Sequence, residues 1–477
     1  MGGRTRLIPF LVVAIVIVVV GGFAVVSGFG QRTPSLTPSA GSLTPSAGSS
    51  DALSSGAPSG LRGPTVGSIA VIDPSGALSV VDSSGHSTVL AGGTGVAFGF
   101  PAWSPDGARI AAVAGSPSET SISVYSVRGS ATGPFATPVV VYRSAEVRPF
   151  YLYWAPGGRS LSFLATESDG LSLRLAPADG SAPLNVSGRG AVIRRGEPLY
   201  YDWIGADRLL LHVGAGSEAF LGEVGLDGTS AAPALARPGI FRSAVMSADR
   251  QYVAYVRAGR GGPDDVVVAA RDGSSEHTLR VFGIAAVVFD PIGDTVASIG
   301  SVQAGQADVG FPVGPLRLVD ARSGATRTLL DGLVVAFFWS PDGRTIAALR
   351  LQATGGSTAD TGPILAAAAI ASPTAFPSAP PSASPTGPPT EVRVVFVDVA
   401  TGAIKSERVV RPGRRFVNEV LPYFDQYALS HRIWAPDSSA ILLPLLNASD
   451  ETQLVALQPN GSDDPLTIDG EGGFWSP

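Results

Sequence analysis

Trp103-Ser104-Pro105-Asp106-Gly107 is repeated letter for letter at residues 339–343 of this 477-residue chain. Proline pre-sets φ for the second position of a turn, aspartate tolerates the next position, and glycine accepts a positive φ. A short apolar run follows each copy, as residues 109–113 do the first. The pentapeptide therefore predicts a tight turn with a bulge that joins two β-strands.

Degraded copies of this turn recur along the chain. Aligned on their aromatic position, the copies are 41 to 51 residues apart, except for one interval of 95 that contains a Pro/Ser/Ala-rich segment. A period of about 40–50 residues with four short strands per unit predicts an all-β fold, a β-propeller. The aligned positions are Trp103, Trp154, Trp203, Met246, Phe289, Trp339, Trp434 and Trp475.

The two ends of the chain predict how the ring closes. Residues 69–72, 78–81 and 87–90 read as strands with no inner strand before them, and residues 472–475 read as an inner strand. A blade built from both ends closes the array and leaves no open sheet edge. We expect a single propeller of four-stranded blades over residues 67–477, with eight blades, or seven if the weak unit at Met246 is degenerate.

The N-terminal segment predicts a membrane anchor. Arg4 and Arg6 precede an uncharged run at residues 7–26, which at about 1.5 Å per residue spans a ~30 Å hydrocarbon core. Flanking arginines stay in the cytoplasm, so residues 1–30 predict a short cytoplasmic end and one transmembrane helix, with the propeller outside. The protein is then a single-pass cell-membrane protein, or a secreted one if the segment is cleaved as a signal peptide.

Two further segments have linker composition. Residues 31–66 are rich in Ser, Thr, Pro, Ala and Gly, and such a composition buries too little apolar surface to offset the entropy of ordering. They predict a disordered tether. Residues 353–390 form a similar insertion within the propeller, either a solvated spacer or a Pro-rich docking motif.

Composition argues against several classes of function. The formal net charge is −6, whereas a nucleic-acid-binding surface needs a dense basic footprint. The chain has no cysteine, so thiolate chemistry and Cys-ligated zinc do not arise. Its four histidines lie in different repeats, and no phosphate-binding glycine loop is present. We therefore expect no nucleic-acid partner, no metal and no cofactor.

The Trp-Ser-Pro-Asp-Gly turns and the apolar strands after them resemble the TolB-type, WD-like propeller repeat. The resemblance covers roughly residues 68–477 and implies the propeller fold. Repeats of this type are found in periplasmic envelope proteins, in non-catalytic propellers of prolyl oligopeptidase-like enzymes and in some polysaccharide lyases. This chain departs from the repeat at several turns, such as 154–158 and 246–250.

Three connections between the outermost strand of one blade and the innermost strand of the next are rich in Arg and aromatic residues. Such residues are favoured at binding hot spots, and loops on a rigid scaffold often bear function. The same aromatic side chains can instead fill the wide mouth of the ring. The candidate binding residues are Arg148, Phe150, Tyr151, Arg194, Arg195, Tyr200, Tyr201, Arg415, Tyr423, Phe424 and Tyr427.

The sequence supports two hypotheses of function. The first is a non-enzymatic binding or scaffold module, tethered outside the membrane, for another envelope protein, a peptide or a glycan. If so, alanine at the candidate residues removes the partner with little loss of stability. The alternative is an enzyme of lyase or hydrolase type at the channel mouth. No residues form a recognisable catalytic constellation, so we predict no catalytic residues.

Overall fold

In the computed structural model of the chain, residues 67–127, 137–168, 170–181, 191–214, 219–230, 235, 244–257, 263–303, 312–351, 391–462 and 465–477 are described. The predicted transmembrane segment, the tether and the 353–390 insertion lie outside these residues and remain predictions. Within the described ranges, no helix has the length and apolar character needed to span a membrane.

The described residues are folded almost entirely as short β-strands. Those up to residue 225 are β1 (Ile69–Ile72), β2 (Leu78–Val81), β3 (Ser87–Ala91), β4 (Ala97–Trp103), β5 (Arg109–Gly115), β6 (Thr120–Ser126), β7 (Val139–Ser144), β8 (Arg148–Trp154), β9 (Ser160–Glu167), β10 (Gly170–Pro177), β11 (Ala191–Arg195), β12 (Leu199–Trp203), β13 (Arg208–Val213) and β14 (Phe220–Gly225). The strands at both ends of the chain and those around each turn coincide with the prediction to within a few residues.

Two of the later strands are about twice as long as the others. The strands after residue 244 are β15 (Val245–Met246), β16 (Tyr252–Arg257), β17 (Asp264–Ala270), β18 (His277–Phe289), β19 (Thr295–Ser301), β20 (Gly314–Asp320), β21 (Thr326–Trp339), β22 (Thr345–Leu351), β23 (Val392–Asp398), β24 (Ile404–Val410), β25 (Ile441–Leu446), β26 (Thr452–Leu457), β27 (Leu466–Asp469) and β28 (Gly472–Trp475). A π-helix (Phe416–Val420), a 3₁₀ turn (Leu421–Tyr423) and α1 (Phe424–Ser430) separate β24 from β25.

The strands pair as antiparallel units of three or four strands, as expected for propeller blades. Unit 1 is β28-β1-β2-β3, unit 2 is β4–β7, unit 3 is β8–β11, and unit 4 is β12–β14. The long strands β18 and β21 each serve two units, so units 5, 6 and 7 (β15–β18, β18–β21 and β21–β24) form one continuous sheet. Unit 8 is β25–β27, with an inner bridge between Trp434 and Ile441.

The turn chemistry matches the prediction from the repeated pentapeptide. In the first copy, Ser104 Oγ donates to Asp106 Oδ1 at 2.5 Å and accepts from the Arg109 N–H at 2.9 Å. Gly107 has a φ of 64°, a region open to glycine at little steric cost. Serine, aspartate and glycine therefore each close one part of the turn between the first two strands of a unit.

The tryptophan of the repeat joins neighbouring units. The indole N–H of Trp103 donates to the Phe474 carbonyl at 3.0 Å, and that of Trp154 donates to the Ala102 carbonyl at 2.9 Å. Trp339 and Trp434 make the same contact with the carbonyl one residue before the aligned position of the preceding unit. All four side chains are buried, so these residues pack unit against unit.

Unit 1 contains strands from both ends of the chain, so removing one of them tests whether this unit closes the fold. Deleting residues 472–477 removes β28 and leaves the inner edge of β1, from Ile69 to Ile72, without its partner strand. Because Phe474 and Trp475 are buried, we expect a loss of more than about 4 kcal/mol in the free energy of unfolding, measured by denaturant titration.

Trp475→Phe is the matched control, because it keeps the β28 backbone pairing and the indole nitrogen makes no hydrogen bond among the described residues. It should unfold near the unmodified midpoint. An unchanged midpoint in the truncated chain would show that the shared unit does not close the fold.

Candidate functional site

A helical segment fills one end of the space between the innermost strands. We call residues 416–430 the plug; the sequence predicted a loop here. Proline at the start of the 3₁₀ turn suits a helix entry, and α1 contacts β8, β12, β18 and β21. The Phe424 ring lies 5.2 Å from that of Phe337 and 5.9 Å from that of Phe338. Strands of units 3, 4, 6 and 7 therefore converge on this one short helix.

Gln426 fastens the plug to the ring. Its side-chain oxygen accepts the Tyr201 N–H at 3.1 Å, and its side-chain nitrogen donates to the Tyr201 carbonyl at 2.6 Å. The amide thus pairs with β12 as a neighbouring strand would. The Tyr151 hydroxyl also donates to the Gln426 backbone carbonyl at 2.8 Å. All these groups are buried, where hydrogen bonds are costly to lose.

A backbone irregularity aims Tyr151 at the plug. The pairing of β8 with β9 shifts between Phe150 and Leu152, and Tyr151 has a φ of 48°. Bulges redirect side chains in this way, and a positive φ in a tyrosine is a strained conformation. The Tyr151 ring meets Tyr201 and Tyr427 edge-on at 5.8 and 5.4 Å. Burial raises the pKa of all three phenols, so they remain neutral donors.

Asp202 lies buried beside this cluster and connects three units. It accepts a hydrogen bond from Tyr153 at 3.1 Å, and Arg250 lies 3.8 Å from its other oxygen. Burial outweighs the nearby arginine and raises the pKa of Asp202 to about 6. The carboxyl therefore gains its charge only near neutral pH.

His431 follows the plug and is also buried. Its Nδ1 lies 2.6 Å from the Ser430 hydroxyl, and its ring lies 4.4 Å from that of Phe474. Burial lowers the pKa of His431 to about 3, so the imidazole is neutral at physiological pH. Among the described residues its Nε2 has no hydrogen-bond partner.

A small pocket lies between the plug and units 8, 1 and 2. Its volume is about 40 Å³, and Phe100, Tyr427 and Phe474 contribute apolar walls. Arg415 and Glu419 also line it, and they form an ion pair at 2.8 Å. A Cβ added at Gly472, another lining residue, would meet no heavy atom within 4 Å. The pocket is thus a preformed apolar space with charge at one side.

The structure brings together most of the aromatic residues predicted for binding, but inside the fold. Phe150, Tyr151, Tyr200, Tyr201, Phe424 and Tyr427 are buried. Tyr423 is half-buried, and its ring lies 6.4 Å from that of Tyr200. Their burial agrees with the alternative that these side chains fill the mouth of the ring. Their role in binding stays a prediction.

The predicted arginines lie further out. Arg148 and Arg195 are exposed, and Arg195 forms an ion pair with Glu167 at 2.7 Å. The Arg194 guanidinium lies 5.5 Å from the centre of the Phe220 ring, and Arg415 lines the pocket. Arg148, Arg194 and Arg195 lie at strand ends, Arg415 lies just before the plug, and the role of all four in binding stays a prediction.

Sequence reasoning missed Gln426 and Asp202, the polar residues that organise this centre. The one signal in the sequence was the spacing of Phe424 and Tyr427, which places both on one helical face. The predicted connections at Arg148 and Leu199 are strands, because the aromatic residues there favour strands and pair directly with β9 and β13.

Solved structures similar to this chain include other propeller proteins. TolB from Acinetobacter baumannii is 17% identical with a TM-score of 0.34 over 55% of this chain, which spans 63% of the TolB structure. AztD from Citrobacter koseri is 12% identical with a TM-score of 0.44 over 86% of this chain and 97% of its own. The dihydro-heme d1 dehydrogenase NirN is 12% identical with a TM-score of 0.47 over 87% of this chain and 75% of its own.

No family model matches the sequence, and no curated protein does. The TolB similarity agrees with the resemblance of the repeat, and at these identities it concerns the fold alone.

Gln426→Leu tests whether the side-chain amide holds the plug. The substitution leaves the Tyr201 N–H and carbonyl buried without their partner, so we expect a loss of about 3 kcal/mol in the free energy of unfolding. Gln453→Leu, at a half-buried glutamine whose hydrogen bond to Asp469 is exposed to solvent, should change it by less than about 0.5 kcal/mol. Equal unfolding midpoints for the two variants would contradict this role.

Asp202→Asn tests the buried carboxyl. Its folded pKa of about 6 lies above the unfolded value of about 3.9, so the folded state binds the extra proton between these values. Its contribution to stability is therefore present at low pH and is lost as pH rises through 6. The variant should match the parent near pH 4 and exceed it by roughly 2–3 kcal/mol at pH 7.5.

Denaturant titrations at pH 4.5, 6.0 and 7.5 measure this difference. Asp106→Asn is the control of opposite sign, because the Ser104 hydrogen bond lowers the pKa of Asp106. A pH-independent difference between Asp202→Asn and the parent would show that the carboxyl is charged throughout.

Proposed function

We propose that this protein is an eight-bladed, membrane-tethered extracytoplasmic β-propeller that acts as a non-enzymatic binding or scaffold module. Its partner is another protein, a peptide or a glycan of the cell envelope. The eight units defined by the strand pairing support the blade number. The tether rests on the apolar run at residues 7–26.

The observation that carries the proposal is the preformed surface around the plug. The Gln426 amide fixes the plug against β12, so Arg415 and Glu419 are held at the edge of the pocket. A rigid surface loses little conformational entropy when a partner binds. Exposed arginines such as Arg148 and Arg195 stand at strand ends on the same side.

The pocket suggests what kind of group the surface recognises. Phe100 and Phe474 offer aromatic walls, and Glu419 offers carboxylate oxygens that accept hydrogen bonds. Apolar walls with a few polar groups suit one side chain of a peptide or one face of a sugar ring. The pocket is small, so the arginines around it would supply most of the contact area.

The alternative function, an enzyme of lyase or hydrolase type, needs ionisable groups that reach substrate at the mouth. Besides the buried phenols, His431 and Asp202 are two ionisable groups beside the plug whose pKa values burial shifts strongly. Both are more than nine-tenths buried. A reaction there would require the plug to leave its seat, whereas binding at the surface requires no such movement.

A crosslinking pull-down from native membranes tests the binding proposal. The bait is the full chain, and the test variant combines Arg148→Ala, Arg195→Ala and Gly472→Val, which fills the pocket. We expect a partner that the parent captures and the test variant loses by at least about tenfold, which corresponds to 1.4 kcal/mol. Recovery of the bait in the soluble fraction would contradict the tether.

The matched control is Arg322→Ala with Arg344→Ala, two exposed arginines in turns at the other end of the units. It should capture the partner as the parent does. Equal capture by the test and control variants would place binding elsewhere on the propeller. Melting temperatures of all three chains confirm that a loss of capture is not a loss of fold.

A further inference from the structure

Arg317, in β20, is a buried arginine without an acceptor. The residue is 8% exposed, and its Nε and Nη2 nitrogens have no hydrogen-bond partner among the described residues. These two nitrogens form one edge of the guanidinium, with parallel N–H groups that match two oxygens of an anion. A buried charge of this kind is costly unless an opposite charge meets it.

The internal repeat supplies a matched arginine. In unit 3, Arg174 pairs in register with Phe163, three residues after β9 begins at Ser160. In unit 6, Arg317 pairs in register with Ser298, three residues after β19 begins at Thr295. The two arginines therefore occupy the same position of the repeat, and both are buried.

In unit 3, side chains of the protein itself accept hydrogen bonds from the Nε–Nη2 edge of the equivalent arginine. Arg174 Nε donates to the Ser172 hydroxyl at 2.9 Å, and Arg174 Nη2 donates to a Glu167 carboxylate oxygen. Glu167 is four residues after Phe163, and the equivalent residue of unit 6 is Val302. The residue equivalent to Ser172 is Pro315. Unit 6 thus has the arginine but neither of these two acceptors.

The surroundings of Arg317 add one more polar group. Ser298 is fully buried, and its hydroxyl has no hydrogen-bond partner among the described residues. Cross-strand partners project from the same face of a sheet, here toward unit 5, since Val296 and Val319 on that face pack with Val281. On the unit 5 side, His277 lies near the turn at Gly324.

We propose that unit 6 binds a small oxyanion at the seam with unit 5, through the Nε–Nη2 edge of Arg317 and the Ser298 hydroxyl. The oxyanion takes the place that the Glu167 carboxylate occupies against Arg174. Its chemistry is that of a carboxylate, a phosphate or a sulfate, each of which presents two oxygens to the guanidinium edge. This site is separate from the surface around the plug and does not depend on the proposed function.

The test is the melting temperature of the full chain in phosphate, sulfate or acetate, against chloride at equal ionic strength. A ligand that binds only the folded state stabilises it in a saturable way, so we expect a rise of about 2 °C in at least one oxyanion. Acetate identifies a carboxylate site, whereas phosphate or sulfate identifies a tetrahedral-anion site. Either response supports the proposal.

Two variants locate the response. Arg317→Met should remove it, because the methionine side chain has no N–H groups to offer an oxyanion. Arg280→Met, at an exposed arginine of β18, should keep the parent response. The proposal is overturned if oxyanions and chloride act alike on the parent, or if Arg317→Met retains the full oxyanion response.

Discussion

The contact on which much of the structure depends is the tryptophan that four of the repeats place between two units. A buried indole usually satisfies its N–H, and these four do so at the backbone of the preceding unit, as Trp103 does at Phe474. One side chain thereby supplies both apolar area and a directional bond across each of these seams. At the two ends of the chain, the pairing of β1 with β28 supplies the connection instead.

A propeller leaves a central space between its innermost strands that those strands do not fill alone. The long connection between β24 and β25 folds as the plug and occupies part of this space. Residues Phe424, Asp425, Gln426 and Tyr427 of the plug are buried, so this part needs polar anchors as well as apolar packing. Gln426 provides them by pairing with a strand backbone, and the bulge at Tyr151 aims a hydroxyl at the same helix.

Two sites with buried charged groups show that a departure from the repeat can indicate a property of this protein. Arg174 and Arg317 share one position, yet within the described ranges Arg174 forms an ion pair with Glu167 whereas Arg317 Nε and Nη2 have no hydrogen-bond partner. Asp202 is surrounded by polar partners and still has a raised pKa, since burial dominates. In both places the free-energy cost of burying an unpaired charge indicates a property that the repeat motif does not. For Arg317 this property is a ligand, and for Asp202 it is a stability that depends on pH.

The sequence by itself determined the all-β units and their period, because turn residues and strand alternation act over a few residues. It also predicted the pairing of the two chain ends, because one end has no inner strand and the other end supplies one. Only the tertiary structure decided that the aromatic residues of the connections are buried and that a helical segment lies between the innermost strands. It also decided that Gln426 pairs with a strand backbone and that the Arg317 side chain is buried. Those facts depend on which strands meet across hundreds of residues, and local chemistry carries no record of that.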